Sequence, residues 1–223
     1  MAASYLIETE TGLFLVDAGF LGTGSLVHRA IRAIGRRPED LRLVLITHPH
    51  LDHFGGLAEL RDWSAFQIGA HPDAAQAVAS GGKEFSPGRT PFTKWVAWLA
   101  RTSLPHLTFR GAGPVIGLED GESLHDMGLP GRVLHTPGHT RSCISLVLDD
   151  CTAITGDLVQ GVNPVTRRPA TPTMAWDPSA ALDSWRTLLA AGVERILPAH
   201  GGALSATALA ETLVRAEQSS ARA

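Results

Sequence analysis

Residues 41–53 read LRLVLITHPHLDH, and the fold turns on this stretch. LRLVLI, at 41–46, is apolar on nearly every position, which predicts a strand buried on both faces. It stops at THPHLDH, residues 47–53, where His48, His50, Asp52 and His53 crowd a Pro-containing loop that is expected to enter a helix at Phe54. Imidazole and carboxylate are the usual ligands of zinc and similar borderline ions. In extended backbone, positions i and i+2 point the same way, so His48 and His50 share one direction while Asp52 and His53 turn toward a neighbouring point. Four ligands so placed could serve two ions. Taken alone, the segment also reads as a solvated His-rich loop.

Upstream, residues 5–8 (YLIE) and 13–17 (LFLVD) are β-rich runs separated by TETG, a hairpin pattern. Residues 25–34 carry apolar groups at 26, 27, 30, 31 and 34, a helical spacing closed by Gly35 and Pro38. Downstream, helical patterns at 54–62, 73–80, 92–101, 178–191 and 204–217 mix with strand-like runs at 66–70, 114–118, 132–135, 144–148, 152–155 and 194–197. That mixture predicts an α/β layered fold. With no linker, repeat or low-complexity segment, one domain over 1–223 is expected.

Hydrophobic residues at 44% and charged residues at 18% of 223 exclude a disordered chain and supply a buried interior. A net charge of −3 is too mild to steer the chain onto nucleic acid or an anionic membrane, so a small-molecule substrate is the expected partner. The oligomeric state stays open. Cys143 and Cys151 are too few for a disulfide framework and are expected to be reduced, buried thiols. The N-terminus lacks a basic region followed by an apolar one, and no apolar run approaches membrane-spanning length. A cytoplasmic location is the expectation.

Four more residues share one setting. Asp17 ends LFLVDAG, His139 sits in TPGHT, Asp157 in TGD and His200 in PAHG, each expected on a loop immediately after a strand. Singly, each is ordinary turn chemistry. Together, Asp17, His48-x-His50-x-Asp52-His53, His139, Asp157 and His200 resemble the metallo-β-lactamase fold superfamily, and the resemblance covers nearly the whole chain. It implies an αββα four-layer sandwich of two similar halves with metals in a cleft at one edge. It also implies that His48, His50 and His139 hold one ion and that Asp52, His53 and His200 hold another. Asp157 would bridge the two, and Asp17 would fix ligand orientation from behind. Two zinc ions are expected, with iron or manganese as alternatives. The implied chemistry is hydrolysis by a hydroxide bridging both cations, with Asp52 and Asp157 as the catalytic carboxylates. Cys143 is read as a small buried residue rather than a ligand. His28, His71, His106, His125 and His135 are read as structural and unpartnered.

Within the resemblance, departures discriminate. From Asp157 and from an N-terminus that does not read as a leader, a true β-lactamase is not expected, and with 23 residues after His200 the glutathione-binding mode of glyoxalase II-type thioesterases is not expected either. The sole tyrosine, Tyr5, weakens the acyl-homoserine lactonase reading. A nuclease lacks support from charge. The reading reached is a dinuclear hydrolase of an ester, thioester or lactone. The alternatives are a mononuclear iron enzyme of the persulfide dioxygenase type, using His48, His139 and Asp157, and a non-catalytic metal-binding protein. Residues 83–113 are expected to form a pocket wall or lid. There Phe92, Trp95 and Trp98 share a helical face, bracketed by Gly81, Gly82, Gly111 and Gly113, with core packing as the other reading. Val162, Asn163 and Trp176 are further pocket candidates.

Overall fold

Two five-stranded sheets lie face to face between layers of helices in the computed structural model, which describes residues 2–82, 86–103, 110–161 and 168–220. The first sheet runs in chain order: β1 (Tyr5–Thr9), β2 (Gly12–Val16), β3 (Leu41–Leu45), β4 (Gln67–Ala70) and β5 (Ile116–Gly117). The β1–β2 hairpin is antiparallel and the remaining pairs are parallel. Its crossovers carry α1 (Gly24–Ala33), α2 (Leu51–Phe54), α3 (Leu57–Leu60), α4 (Pro72–Ser80) and α5 (Pro91–Ser103). The second sheet contains β6 (Gly131–His135), β7 (Ile144–Leu148), β8 (Thr152–Gln160), β9 (Arg195–His200) and β10 (Leu204–Ser205), with α6 (Pro178–Ala190) and α7 (Ala206–Ser220) outside it.

The two faces of β3 explain the layering. Leu43 and Leu45 enter the core between the sheets with Phe14, Val16, Val133, Ile144, Leu146 and Ile154. Leu41, Val44 and Ile46 face the other way, against Val27 and Ile31 of α1, Leu57 of α3 and Val78 of α4. Burial of each such side chain is worth about 1.5–3 kcal/mol, so a strand apolar on both faces is held from both sides. On the far side, Trp185 of α6 is fully buried among Leu188, Val159, Ile196, Leu209 and Leu213, and its indole N–H donates to the Leu158 carbonyl at 3.1 Å. The αββα order implied by the family resemblance is therefore the order found.

Several boundaries differ from the sequence expectation. The helix expected over 54–62 is two short helices, and the first begins at Leu51 rather than Phe54. Gly55 and Gly56 explain the break, because a Cβ there would meet the Leu51 carbonyl at 2.5 Å and the Ala18 carbonyl at 2.3 Å. The chain turns where the loop after β2 presses against it. The expected helix over 204–217 is preceded by β10 at Leu204–Ser205. Strand β8 runs on to Gln160 instead of ending at 155, and β5 is only Ile116–Gly117. Among the described residues, no helix is long and apolar enough to cross a membrane.

Candidate metal centre

Asp17 directly follows β2, with φ 60, a left-handed conformation that aspartate tolerates better than most residues. It is buried, and its carboxylate accepts from the Thr47 amide at 2.8 Å, the Thr47 hydroxyl at 2.8 Å and His53 Nδ1 at 2.7 Å. With the Thr47 hydrogen directed to Asp17, His48 Nδ1 donates to Thr47 Oγ1 at 3.0 Å. Both histidines are thus held with Nδ1 protonated and the Nε2 lone pair turned outward. His139, on the loop between β6 and β7, is oriented likewise by Nδ1 donating to the Met174 carbonyl at 2.6 Å. His50 is reversed: its Nδ1 faces the cluster and its Nε2 lies 3.4 Å from Ser86 Oγ.

These orientations bring seven donors together. His50 Nδ1 lies 3.1 Å from His48 Nε2 and 2.9 Å from His139 Nε2. The two oxygens of Asp157 serve different neighbours. Oδ2 lies 3.5 Å from His139 Nε2, whereas Oδ1 lies 3.4 Å from His53 Nε2 and 3.5 Å from His200 Nε2. Asp52 Oδ2 closes the second group, 3.6 Å from His200 Nε2. His48, His50, His139 and Asp157 form one set whose ligand atoms lie within 4.8 Å of one another, and Asp52, His53 and His200 form a second.

The residues fit a pair of cations. His53 Nε2 and Asp157 Oδ1 are buried, face each other, and have no hydrogen-bond partner among the described residues. Such orphaned polar atoms are costly unless an ion or proton sits between them. Three imidazole nitrogens also converge, and one proton on His50 Nδ1 could satisfy only one of its two contacts. Nitrogens bound to one zinc at about 2.0–2.1 Å in tetrahedral geometry stand roughly 3.3 Å apart, close to the spacing here.

Burial divides the two groups electrostatically. It pushes His48 well below the usual histidine range, His50 down to about 3, and His139 down, so this set presents neutral imidazoles. Burial opposes the charged form of His53 too, but the carboxylates of Asp17 and Asp157 outweigh it and hold His53 well above the usual range. His200 is raised, chiefly by the Asp52 carboxylate 3.6 Å away. Asp157 stays ionised: burial pushes its carboxyl up, yet His53, His139 and His200 hold it well below the usual carboxylate range. The side chains of Asp52 and His200 are 38% and 37% exposed, so the second group opens to solvent on the side away from buried His53.

All seven expected ligands and Asp17 thus converge, although two have different addresses from those expected. Asp157 lies inside β8 and His200 is the last residue of β9, rather than on loops beyond the strands. Gly156, with φ 53, interrupts the pairing of β8 with β9 and turns the next side chain into the cluster. Sequence reasoning missed Thr47, Ser86 and the Met174 carbonyl. No local pattern marks them, because each depends on a partner distant in sequence: Asp17 for Thr47, His50 and His139 for Ser86, and His139 for Met174.

Trp176 donates its amide to the His139 carbonyl at 3.0 Å, and the Arg141 guanidinium lies 4.6 Å above its ring. Trp95 and Trp98 on α5 are 55% and 59% exposed, so the stripe faces outward and is not core. Val162 and Asn163 lie outside the described residues, as does His106. Cys143 is buried against Thr140, and burial pushes its thiol up to about 12, in keeping with an inert packing residue. Cys151 is only half-buried. Four histidines expected to be unpartnered have contacts: His71 stacks on His135 at 4.4 Å, and His125 pairs with Asp149 at 2.8 Å. His28 likewise packs on Trp63.

Residues 1–200 match the profile of the metallo-beta-lactamase superfamily. An exodeoxyribonuclease, WalJ, of Streptococcus pneumoniae is 36% identical over 75 residues, which are 34% of this chain and 27% of that protein. A hydroxyacylglutathione hydrolase of Rhodopseudomonas palustris is 30% identical over 124 residues, 56% of this chain and 36% of that protein. This chain therefore spans well under half the length of either curated relative. The crystal structure of TTHA1623 in a di-iron-bound form superposes with a TM-score of 0.67 at 26% identity, covering 94% of this chain and 92% of that one.

Proposed function

The chain belongs to the metallo-beta-lactamase superfamily, and from that membership and the seven convergent donors we propose a hydrolase working with two divalent cations on an ester, thioester or lactone. The observation that carries the reading is the divided carboxylate of Asp157, one oxygen toward His139 and the other toward His53 and His200. A mononuclear centre built from His48, His139 and Asp157 would leave Asp52, His53 and His200 without a task. A structural site would be closed on all sides, whereas Asp52 and His200 face solvent.

Bound cations would supply a water nucleophile active near neutral pH and stabilisation of negative charge on the substrate oxygen. The chain supplies the rest. Asp17, Thr47 and the Met174 carbonyl hold His53, His48 and His139 in the tautomer that offers Nε2 to the cluster. Asp157, kept ionised, provides the shared negative charge. Asp52, on the solvent side beside His200, is placed to take a proton and return it to a leaving group. Zinc suits this nitrogen and oxygen donor set, and iron or manganese would use the same residues. The hydroxyacylglutathione hydrolase relative supports a thioester or ester. The exodeoxyribonuclease match covers a third of the chain, and a net charge of −3 favours a small molecule over nucleic acid.

Elemental analysis of protein purified without added metal, with a panel of chromogenic esters, lactones, thioesters and β-lactams, tests this. Two metal equivalents and turnover of an ester-type substrate are expected, with Asp157→Ala losing most activity and at least one metal. One equivalent of iron with oxygen consumption on persulfides would replace the hydrolase reading with the dioxygenase one.

A further inference from the structure

We propose that Ser86 is a positioning residue of the metal centre: its hydroxyl selects the tautomer of His50 and fastens the segment leading into α5 to the ligand pair His50 and His139. The inference rests on reading the His/Asp cluster as a metal centre. His50 meets the other imidazoles through Nδ1, so joining them in holding a cation requires a lone pair on Nδ1 and the ring proton on Nε2. Ser86 Oγ, buried, lies 3.4 Å from that Nε2 and 2.5 Å from the His139 carbonyl oxygen. A carbonyl can only accept, so the Ser86 hydrogen points to His139 and its oxygen is left to accept from His50 Nε2–H. The His50 contact is long, and it is the commitment of the Ser86 hydrogen that biases the ring toward Nε2–H, against the proton that the shorter contacts to His139 and His48 would draw to Nδ1.

The backbone around Ser86 extends the consequence. The Arg89 amide donates to Thr173 O at 3.0 Å, the Ala175 amide donates to Pro87 O at 3.1 Å, and Gly88 bridges Met174 in antiparallel fashion. Residues 87–89 and 173–175 are therefore joined by a single antiparallel bridge, whose Met174 carbonyl orients His139 while the neighbouring Ser86 hydroxyl biases His50. The His139 carbonyl in turn accepts from both Ser86 and Trp176, using both lone pairs. Any displacement of the α5 segment is then felt at two ligands.

Two measurements test this: long-range proton–nitrogen spectra of the histidine rings in metal-free protein, and zinc affinity by competition with a chromophoric chelator. Wild-type protein is expected to hold a measurable Nε2–H population of His50 beside the Nδ1–H form that the contacts to His48 and His139 favour. Ser86→Ala should shift the ring to the Nδ1–H form and weaken zinc binding roughly 10–100-fold, the usual effect of removing a ligand's hydrogen-bond partner. Ser86→Thr, which keeps the hydroxyl, should restore both. Ser86→Cys keeps the shape with a weak acceptor and should show the same tautomer change if the alanine variant does not fold. A His50 tautomer and zinc affinity unchanged in Ser86→Ala or Ser86→Cys, with only Tm lowered, would overturn the proposal. Failure of the wild-type protein to bind zinc, iron or manganese would sink the metal-centre reading itself, a result separate from the tautomer spectra.

Discussion

Asp17 Oδ2 accepts a 2.7 Å hydrogen bond from His53 Nδ1 while the same carboxylate accepts the Thr47 hydroxyl that in turn orients His48. One buried residue thereby sets one histidine of each donor group. Asp17→Asn preserves the shape but removes the charge and one acceptor oxygen. Metal affinity is expected to fall about 10–100-fold, measured by chelator competition. A change under twofold would mean that Asp17 only fills space.

The two groups should part company in acid. His53 and His200 have raised affinities for protons, so a cation at the Asp52, His53 and His200 set must displace protons, and binding there weakens as pH falls through those raised values. His48, His50 and His139 are depressed, His50 to about 3, so their set stays unprotonated far lower. Stepwise loss on acidification from pH 8 is expected, with the first equivalent leaving the solvent-facing set. Metal content after equilibration at each pH decides it, and simultaneous loss of both ions would contradict the division.

Gly156→Ala tests how closely the two sheets meet at the centre. At φ 53, a Cβ would stand 2.4 Å from Thr47 Oγ1, the hydroxyl that bonds Asp17 and His48. Left-handed backbone alone costs alanine about 1–2 kcal/mol. Gly22→Ala, at φ 82 with nothing within 4 Å, isolates that backbone cost. Urea unfolding should show the greater loss for Gly156→Ala, and only that variant should lose metal affinity.

Trp95→Ala and Trp98→Ala should leave stability within about 0.5 kcal/mol, because both side chains are exposed. Trp185→Ala, emptying a fully buried site, should cost about 3–5 kcal/mol. If α5 borders the substrate, the first two variants will alter kcat/KM unequally across acyl chain lengths. Unaltered preference would remove α5 from the pocket.

Much of this was legible from residues 41–53 because two local rules apply there: an apolar run marks a strand buried twice, and a dense His/Asp cluster has few uses beyond metal. The remaining donors, His139, Asp157 and His200, were legible as an ordered set and not one by one. What escaped was whatever depends on distant approach. Gly55 and Gly56 break a helix because a remote loop presses on them. Asp157 lies within β8, which runs on past the register shifts at Gly156 to Gln160 in pairing with the distant strand β9. Ser86 reaches His139 across 53 positions, and a serine hydroxyl carries no spacing signal.

The donors come from both sheets: Asp17, His48, His50, Asp52 and His53 follow β2 and β3, while His139, Asp157 and His200 belong to β6 through β9. Cations held among them would act as a clasp between the halves of the sandwich as well as a catalyst. Each ion at 100 times its dissociation constant would add about 2.7 kcal/mol to the stability of the folded chain. A chelator should then behave as a mild denaturant that lowers Tm, and apparent thermal stability becomes a direct gauge of metal supply.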